Sequence, residues 1–172
     1  MAIREQEGIR LRELLPEDKP VLAHLANDEK IRDNVRDSFP FPYTEKDAEN
    51  FIGLCKKEDP KTTFAIDCQN ELSGVIGLVP LQDIYRKSAE IGYWIGEPYR
   101  NKGIATVAVR QIVNYGFGEL QLIRIFTGVF EHNKASQRVL EKCGFTLEAI
   151  SKNAIFKNNR IMDEYRYVIL KS

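Results

Sequence analysis

The sequence is short of the residues that most metal and redox chemistry requires. Its three cysteines, Cys55, Cys68 and Cys143, lack metal-site spacing, and His24 and His132 are its only imidazoles. No metal is expected, because a structural or catalytic zinc site needs a denser set of Cys and His ligands. The odd cysteine count predicts reduced thiols and a cytoplasmic setting rather than a disulfide framework. Neither sign of charge dominates, since 25 Lys and Arg balance 25 Asp and Glu. The chain therefore has no global field to draw it to nucleic acid or a membrane surface. No apolar run approaches the roughly 18 residues of a membrane span. The stretch from Met1 to Glu7 lacks the hydrophobic region of a secretory signal. With no repeat, low-complexity segment or Ser/Gly linker, residues 1–172 are expected to form one domain, long enough to bury its own core.

What is present is a clear alternation of strand and helix patterns. Ile9 to Leu14 alternates apolar and polar residues, as a half-buried strand does. Pro16, Glu17 and Asp18 open a helix whose apolar face carries Val21, Leu22 and Leu25. Thr44 and Asp47 have capping-box spacing, ahead of an apolar stripe of Ala48, Phe51, Ile52 and Cys55. A hairpin is predicted from residues 62–67 and 72–79 around Gln69, Asn70 and Glu71. Further strands are expected over 89–95 and 123–130, with a helix over 106–115 between them. Asn133 is a good N-cap for a helix through Cys143 that ends at Gly144. Residues 145–151 and 161–170 complete a second hairpin around Lys157, Asn158 and Asn159.

The most informative segment is the junction after the strand at 89–95. There Arg100, Asn101, Lys102, Gly103, Ile104, Ala105 and Thr106 form a basic turn leading into a helix. Such a turn gathers unpaired backbone N–H groups and the positive end of a helix dipole, a good seat for phosphate. Gly103 allows close backbone approach or a positive φ. The spacing is not that of a Walker A loop. Gly116 and Gly118 are not a Rossmann fingerprint either, because they fall where a helix ends and read as C-cap residues.

The pattern Arg100-x-x-Gly103-x-Ala105 resembles the acyl-CoA pyrophosphate loop of the GNAT acetyltransferase superfamily. Two further segments agree. Asn133 through Ser136, Glu141, Lys142, Gly144 and Phe145 resemble that family's second signature. Phe41 through Asp47 and Ile52 resemble the N-terminal region of its RimJ/RimL branch, so the likeness runs from about Ile9 to Leu170. It implies the order βααβββαβαββ: an α/β fold with a mixed, mainly antiparallel sheet of about seven strands and helices on both faces. A central parallel pair, 89–95 and 123–130, would splay apart to admit the pantetheine arm. Many relatives are dimers, but no residue here decides the oligomeric state.

The resemblance implies acetyl transfer from acetyl-CoA to an amine. Backbone groups from Arg100 to Thr106 would hold the pyrophosphate, with charge added by Arg100 and Lys102 unless these are only a solvated surface pair. Trp94 and Ile95 would offer backbone bonds to the pantetheine and acyl carbonyl, or simply belong to the core. Asn133 and Ser136, one helical turn apart, would approach the cofactor, Ser136 near the sulfur; Asn133 also reads as a plain N-cap. Glu90 is the candidate base, made effective by burial beside apolar neighbours. Its alternatives are a solvent-facing glutamate or one acting through water. The tyrosine that many relatives use to protonate the departing thiolate falls at Leu140, which leaves Ser136 or a water for that task. Cys143 reads as a buried small hydrophobe and His132 as a loop residue. Tyr165 and Tyr167 line either the acceptor groove or the core.

The connection from Asn27 to Tyr43 is long for a compact fold. It carries Asp28, Glu29, Asp33, Asp37, Phe39 and Phe41, which suit either a rim for a cationic amine or a helix cap with an aromatic plug. The acceptor is expected to be a protein N-terminal amine. A small amine such as a polyamine or aminoglycoside, or a catalytically weak acyl-CoA sensor, are the alternatives.

Overall fold

A computed structural model describes residues 6–172, so the expectation about Met1 to Glu7 lies mostly outside the described residues. Seven strands form one sheet: β1 (Ile9–Arg12), β2 (Thr63–Cys68), β3 (Glu71–Pro80), β4 (Ser88–Ile95), β5 (Arg124–Phe130), β6 (Thr146–Lys157) and β7 (Arg160–Leu170). Their spatial order is β1-β2-β3-β4-β5-β7-β6. Every neighbouring pair is antiparallel except β4 and β5. Five helices accompany them: α1 (Lys19–Ala26), α2 (Glu29–Arg32), α3 (Glu45–Lys56), α4 (Ile104–Gly118) and α5 (Lys134–Lys142). The mixed sheet with helices on both faces is the expected architecture.

Local chemistry accounts for most boundaries. Thr44 Oγ1 accepts from the Asp47 N–H at 3.3 Å, and the Asp47 carboxylate accepts from the Thr44 N–H at 2.8 Å, closing the capping box of α3. The β2–β3 turn places Gln69 and Asn70 at φ 54° and 68°, and the β6–β7 turn places Asn158 and Asn159 at 50° and 58°. Paired left-handed residues are what a two-residue hairpin turn of matching twist demands. Several boundaries differ from expectation: β1 stops at Arg12, and Pro16–Asp18 form a separate 3-10 turn ahead of α1. The short helix α2 appears within the long connection, capped by Asp28 Oδ1 accepting from the Lys30 N–H at 2.7 Å. The second hairpin's first strand extends to Lys157. α4 runs from Ile104 through Gly118, so Gly116 is no C-cap. A Cβ there would meet Ile125 and Leu78 at 2.9 and 3.0 Å, and its absence lets the helix lie against the sheet.

Two cores flank the sheet. On one face α4 and α5 bury Ile104, Val109, Ile112 and Leu140 against Phe64, Ile76, Ile91 and Ile125. On the other, α1 and α3 bury Leu22, Leu25, Ala48 and Ile52 against Ala65, Leu72 and Val75. Each fully buried Leu or Ile contributes on the order of 1.5–3 kcal/mol. Strand alternation assigns side chains of β4 and β5 to these faces. Ala89, Ile91, Tyr93 and Ile95 join the α4 core, as do Ile125 and Val129. Glu90, Gly92 and Trp94, with Phe126 and Gly128, therefore face α1, α3 and the long connection.

Candidate active site

β4 and β5 pair over only three rungs, Ser88↔Arg124, Ala89↔Ile125 and Glu90↔Phe126. Beyond Glu90 they diverge, while β4 stays paired with β3 and β5 with β7 out to their ends. A cavity of about 1170 Å³ includes the gap between them. The Gly96 N–H donates to the Ser73 carbonyl of the β3 side, and Lys87 accepts from Ile123 and Arg124 on the β5 side. With alternating bond direction along a strand, Tyr93 and Ile95 turn their backbone polar groups into the gap. Trp94 turns its own toward Val75.

At the wide end of the gap the chain turns into α4. Asn101 and Gly103 are left-handed at φ 61° and 78°, flanking Lys102. Alternation of φ sign along a turn curls successive N–H groups toward one concavity that suits an anion. Gly103, the N-cap, supplies no side-chain bond to the helix, so the first N–H donors of α4 have no side-chain cap. Asn101, Gly103, Ile104, Ala105 and Thr106 line the cavity. Of the two cations, Arg100 lines the cavity with its guanidinium already bonded, and Lys102 is the solvated surface residue of the alternative reading. Arg100 is committed elsewhere: its Nε donates to the Ile95 carbonyl at 3.1 Å and its Nη2 to Asp28 at 2.5 Å. It braces the turn against the long connection. Lys102 is exposed, its Nζ 5.9 Å from the Tyr99 ring centre, and does not line the cavity.

On the α4 face, Asn133 caps α5 through Oδ1, which accepts from the Ser136 N–H at 3.1 Å. The Ser136 Oγ lies 2.8 Å from the Tyr93 hydroxyl, and both residues line the cavity. Burial pushes the Tyr93 phenol up to about 12, against a smaller opposing effect of the bond to Ser136. Leu140 is fully buried. No tyrosine stands there, but sequence reading missed that β4 supplies one to the same hydroxyl pair. Its place in the Ala89, Ile91, Tyr93, Ile95 alternation was the available signal.

On the opposite face Glu90 is half-buried, not enclosed by apolar neighbours as expected. Its two oxygens accept from the Arg36 Nη2 at 2.7 and 2.8 Å. Asp47 of α3 also lines the cavity, as does Glu164 of β7, which sequence reading missed. Glu164 lies over Gly128, where a Cβ would meet its carboxyl carbon at 2.4 Å.

Three of the four acids of the long connection are paired within the molecule rather than offered as a rim, and Glu29 is exposed. Asp28 binds Arg100, Asp33 binds Arg32 and Asn158, and Asp37 binds Lys157. Phe39 packs on Tyr43 and Trp94 with ring centres 5.1 and 6.5 Å apart, a plug over the second core. Tyr165 and Tyr167 belong to the α4 side of β7. The Tyr167 hydroxyl donates to Glu141 at 2.9 Å, and Lys134 sits over Tyr165 at 4.9 Å. Neither lines the cavity. Burial raises the Cys143 thiol, which opposes a nucleophilic role. His132 packs near Phe130, ring centres 6.0 Å apart. Among the described residues no group of three or more His, Cys, Asp or Glu could hold a metal.

The model of the acetyltransferase (GNAT) domain matches residues 9–146. The chain belongs to the GNAT acetyltransferase family. It is 36% identical over 129 residues to the probable N-acetyltransferase YjcK of Bacillus subtilis (strain 168), 73% of this chain and 64% of that protein. To the putative ribosomal N-acetyltransferase YdaF of the same strain it is 38% identical over 100 residues, 58% of this chain and 54% of that one. The chain thus spans somewhat over half the length of these curated relatives. Its fold superposes on the Vibrio cholerae spermidine N-acetyltransferase, solved in complex with CoA and spermine. The TM-score is 0.81 at 26% identity, with 96% of each chain covered. No helix among the described residues is long and apolar enough to cross a membrane.

Proposed function

We propose that this GNAT chain, acting as one domain over residues 1–172, is an acetyl-CoA-dependent N-acetyltransferase whose acceptor is a protein N-terminal α-amine, as in the RimJ/RimL-like branch. The observation that carries the reading is the continuity of one cleft. Uncapped helix donors stand at its mouth, a Tyr93–Ser136 hydroxyl pair on one face and Glu90 on the other.

The residues present fit acetyl-CoA. N–H groups of Gly103, Ile104, Ala105 and Thr106 would receive the pyrophosphate, with Asn101 shaping the turn and Arg100 bracing it. The backbone of Tyr93 and Ile95 would hold the pantetheine arm along β4, with Asn133 closing from α5. Bound there, the co-substrate supplies an acetyl group activated as a thioester. Glu90 takes a proton from the incoming ammonium, directly or through water, since only the neutral amine is nucleophilic. Ser136, oriented by Asn133 and bonded to Tyr93, donates to the sulfur as it departs. An α-amine has an ordinary pKa of about 8, against about 10.4 for a lysine-type amine, so the α-amine asks less of any base. The three cysteines are free, which supports a reducing, cytoplasmic setting.

Two observations favour a second acceptor class. One relative in fold is a spermidine N-acetyltransferase, and Glu90 and Glu164 put two carboxylates on the acceptor face. The deciding experiment measures thiol released from acetyl-CoA against N-terminal peptides, polyamines and aminoglycosides. A peptide acceptor is expected, with kcat/KM falling about 100-fold in Glu90→Gln, in line with removal of a general base. A polyamine hit would replace the acceptor and keep the chemistry. Acetyl-CoA binding with no thiol release from any amine would overturn the transferase reading in favour of a sensor.

A further inference from the structure

Arg36 is bonded to the carboxylate proposed as the base, and the form of that contact is unusual for this molecule. Two other arginine–carboxylate pairs are two-pronged, while Arg10–Asp67, Arg100–Asp28 and Arg166–Glu164 each set one nitrogen on one oxygen. Arg12 presents Nη1 and Nη2 to the two oxygens of Asp18 at 2.7 and 2.8 Å, and Arg124 does the same to Glu148 at 2.8 and 2.7 Å. That fork-on-fork match is the strong geometry. Arg36 instead places the single nitrogen Nη2 between both oxygens of Glu90. One donor straddling a carboxylate is the contact an ammonium makes.

The surroundings fit an occupant meant to leave. The Arg36 side chain is 75% exposed, whereas that of Glu90 is 28% exposed. No other side-chain partner of Arg36 is found among the described residues. Its backbone is fixed: Lys157, itself buried, donates to the Val35 carbonyl and to Asp37, each at 2.8 Å. The loop can therefore stay in place while the Arg36 side chain alone swings through its rotamers. Glu90 is the last rung before the strands part, and the next residue on its face, Gly92, has nothing within 4 Å of where a Cβ would sit. Space beside the carboxylate thus opens into the cleft.

We infer that the Arg36 guanidinium is a resident substitute for the acceptor, held on Glu90 where the acceptor's ammonium binds and displaced when a primary alkylammonium or α-ammonium group arrives. The inference rests on the proposed acetyl transfer and deepens it by naming the charge and contact of the acceptor group. It also gives a function to the pairing of the base, which is masked while no amine is present and freed by one. Exposed ion pairs are weak, so displacement costs the acceptor only about two- to fivefold in affinity.

The test reads binding, independently of turnover. Spermidine and a free-amine, alanine-led hexapeptide are titrated calorimetrically into CoA-loaded wild type, Arg36→Ala and Arg36→Gln. At least one probe should bind both variants about two- to fivefold more tightly than wild type, with CoA affinity unchanged. Methylguanidinium should compete with that probe several-fold better in Arg36→Ala, where the carboxylate is vacant, and this competition should vanish in Arg36→Ala/Glu90→Gln. Equal or weaker probe binding in the variants, or methylguanidinium competing equally with wild type, would show that Arg36 merely fastens the loop and overturn the inference. Thiol release, measured separately, tests the transfer itself: tighter amine binding in an enzyme that releases no thiol would sink the transferase reading and leave this one standing.

Discussion

Tyr93 brings a phenol within 2.8 Å of the Ser136 hydroxyl on the cofactor face of the cleft, and magnitudes decide what it does there. A thiol has an ordinary pKa of about 8.5, whereas burial holds Tyr93 up at about 12. Full proton transfer from this phenol to a departing thiolate would run uphill by about 3.5 pH units, or roughly 5 kcal/mol. The favoured role is a neutral donor that fixes the Ser136 hydroxyl toward the sulfur. Removing one such hydrogen bond costs about 1–1.5 kcal/mol, so Tyr93→Phe should lower kcat about tenfold. The alkaline limb of its kcat–pH profile should coincide with that of wild type. An alkaline limb present in wild type and absent from Tyr93→Phe would instead make the phenol the acid. The β4 alternation marks the face of Tyr93 in the sequence but not its partner, which lies on a helix 43 residues further along the chain.

At the scale of elements, the phosphate turn depends on a backbone conformation more than on its charges. Gly103 has φ 78°, yet a Cβ there would meet nothing within 4 Å. A substitution at this position is thus a test of φ without a steric clash. Holding an ordinary L-residue in the left-handed region costs about 1–2 kcal/mol. A β-branched residue will escape by flattening the turn, and the inward-facing N–H groups go with it. Gly103→Val should weaken CoA binding about tenfold or more by calorimetry, while Gly103→Asn, which tolerates this region, should stay near wild type. Equal affinities in all three proteins would mean that the turn does not hold the pyrophosphate. Elements whose cause is local were legible in the sequence for the same reason: the Thr44–Asp47 box, the Asn133 cap and both hairpin turns are each set by residues a few positions apart. What escaped was set by distant partners. Lys157 holds Asp37 across 120 residues and Arg100 holds Asp28 across 72. Asp28 and Asp37, which look like part of a free rim in the sequence, are therefore already spent, and Glu90, read as buried among apolar neighbours, carries an arginine.

Over the whole molecule, one sheet joins two cores, and three strongly shifted phenols report on both. Tyr43 belongs to the α1–α3 side, and Tyr93 and Tyr167 pack on the α4 side. Each is pushed up to about 12, in every case chiefly by burial. In the unfolded chain these phenols return to about 10. Between pH 10 and 12 the unfolded state therefore binds fewer protons than the native one, and stability falls as pH rises. Below pH 10 both states keep the phenols neutral and this contribution is intact. The melting temperature should then hold level to about pH 9.5 and drop steeply from 10 to 12, with phenolate absorbance from these residues appearing only as the far-ultraviolet circular dichroism collapses. Lysine deprotonation also changes the charge balance in that range, so a variant must isolate the phenols. Tyr43→Phe serves, because no hydrogen bond of the Tyr43 hydroxyl is found among the described residues, and it should flatten part of the decline, Tyr99 and Tyr115 being pushed up as well. A single transition across the range would mean that the two cores release together, as a sheet shared by both requires. A melting temperature flat to pH 12, or phenolates forming ahead of unfolding, would show that the phenols are not shielded as their packing implies.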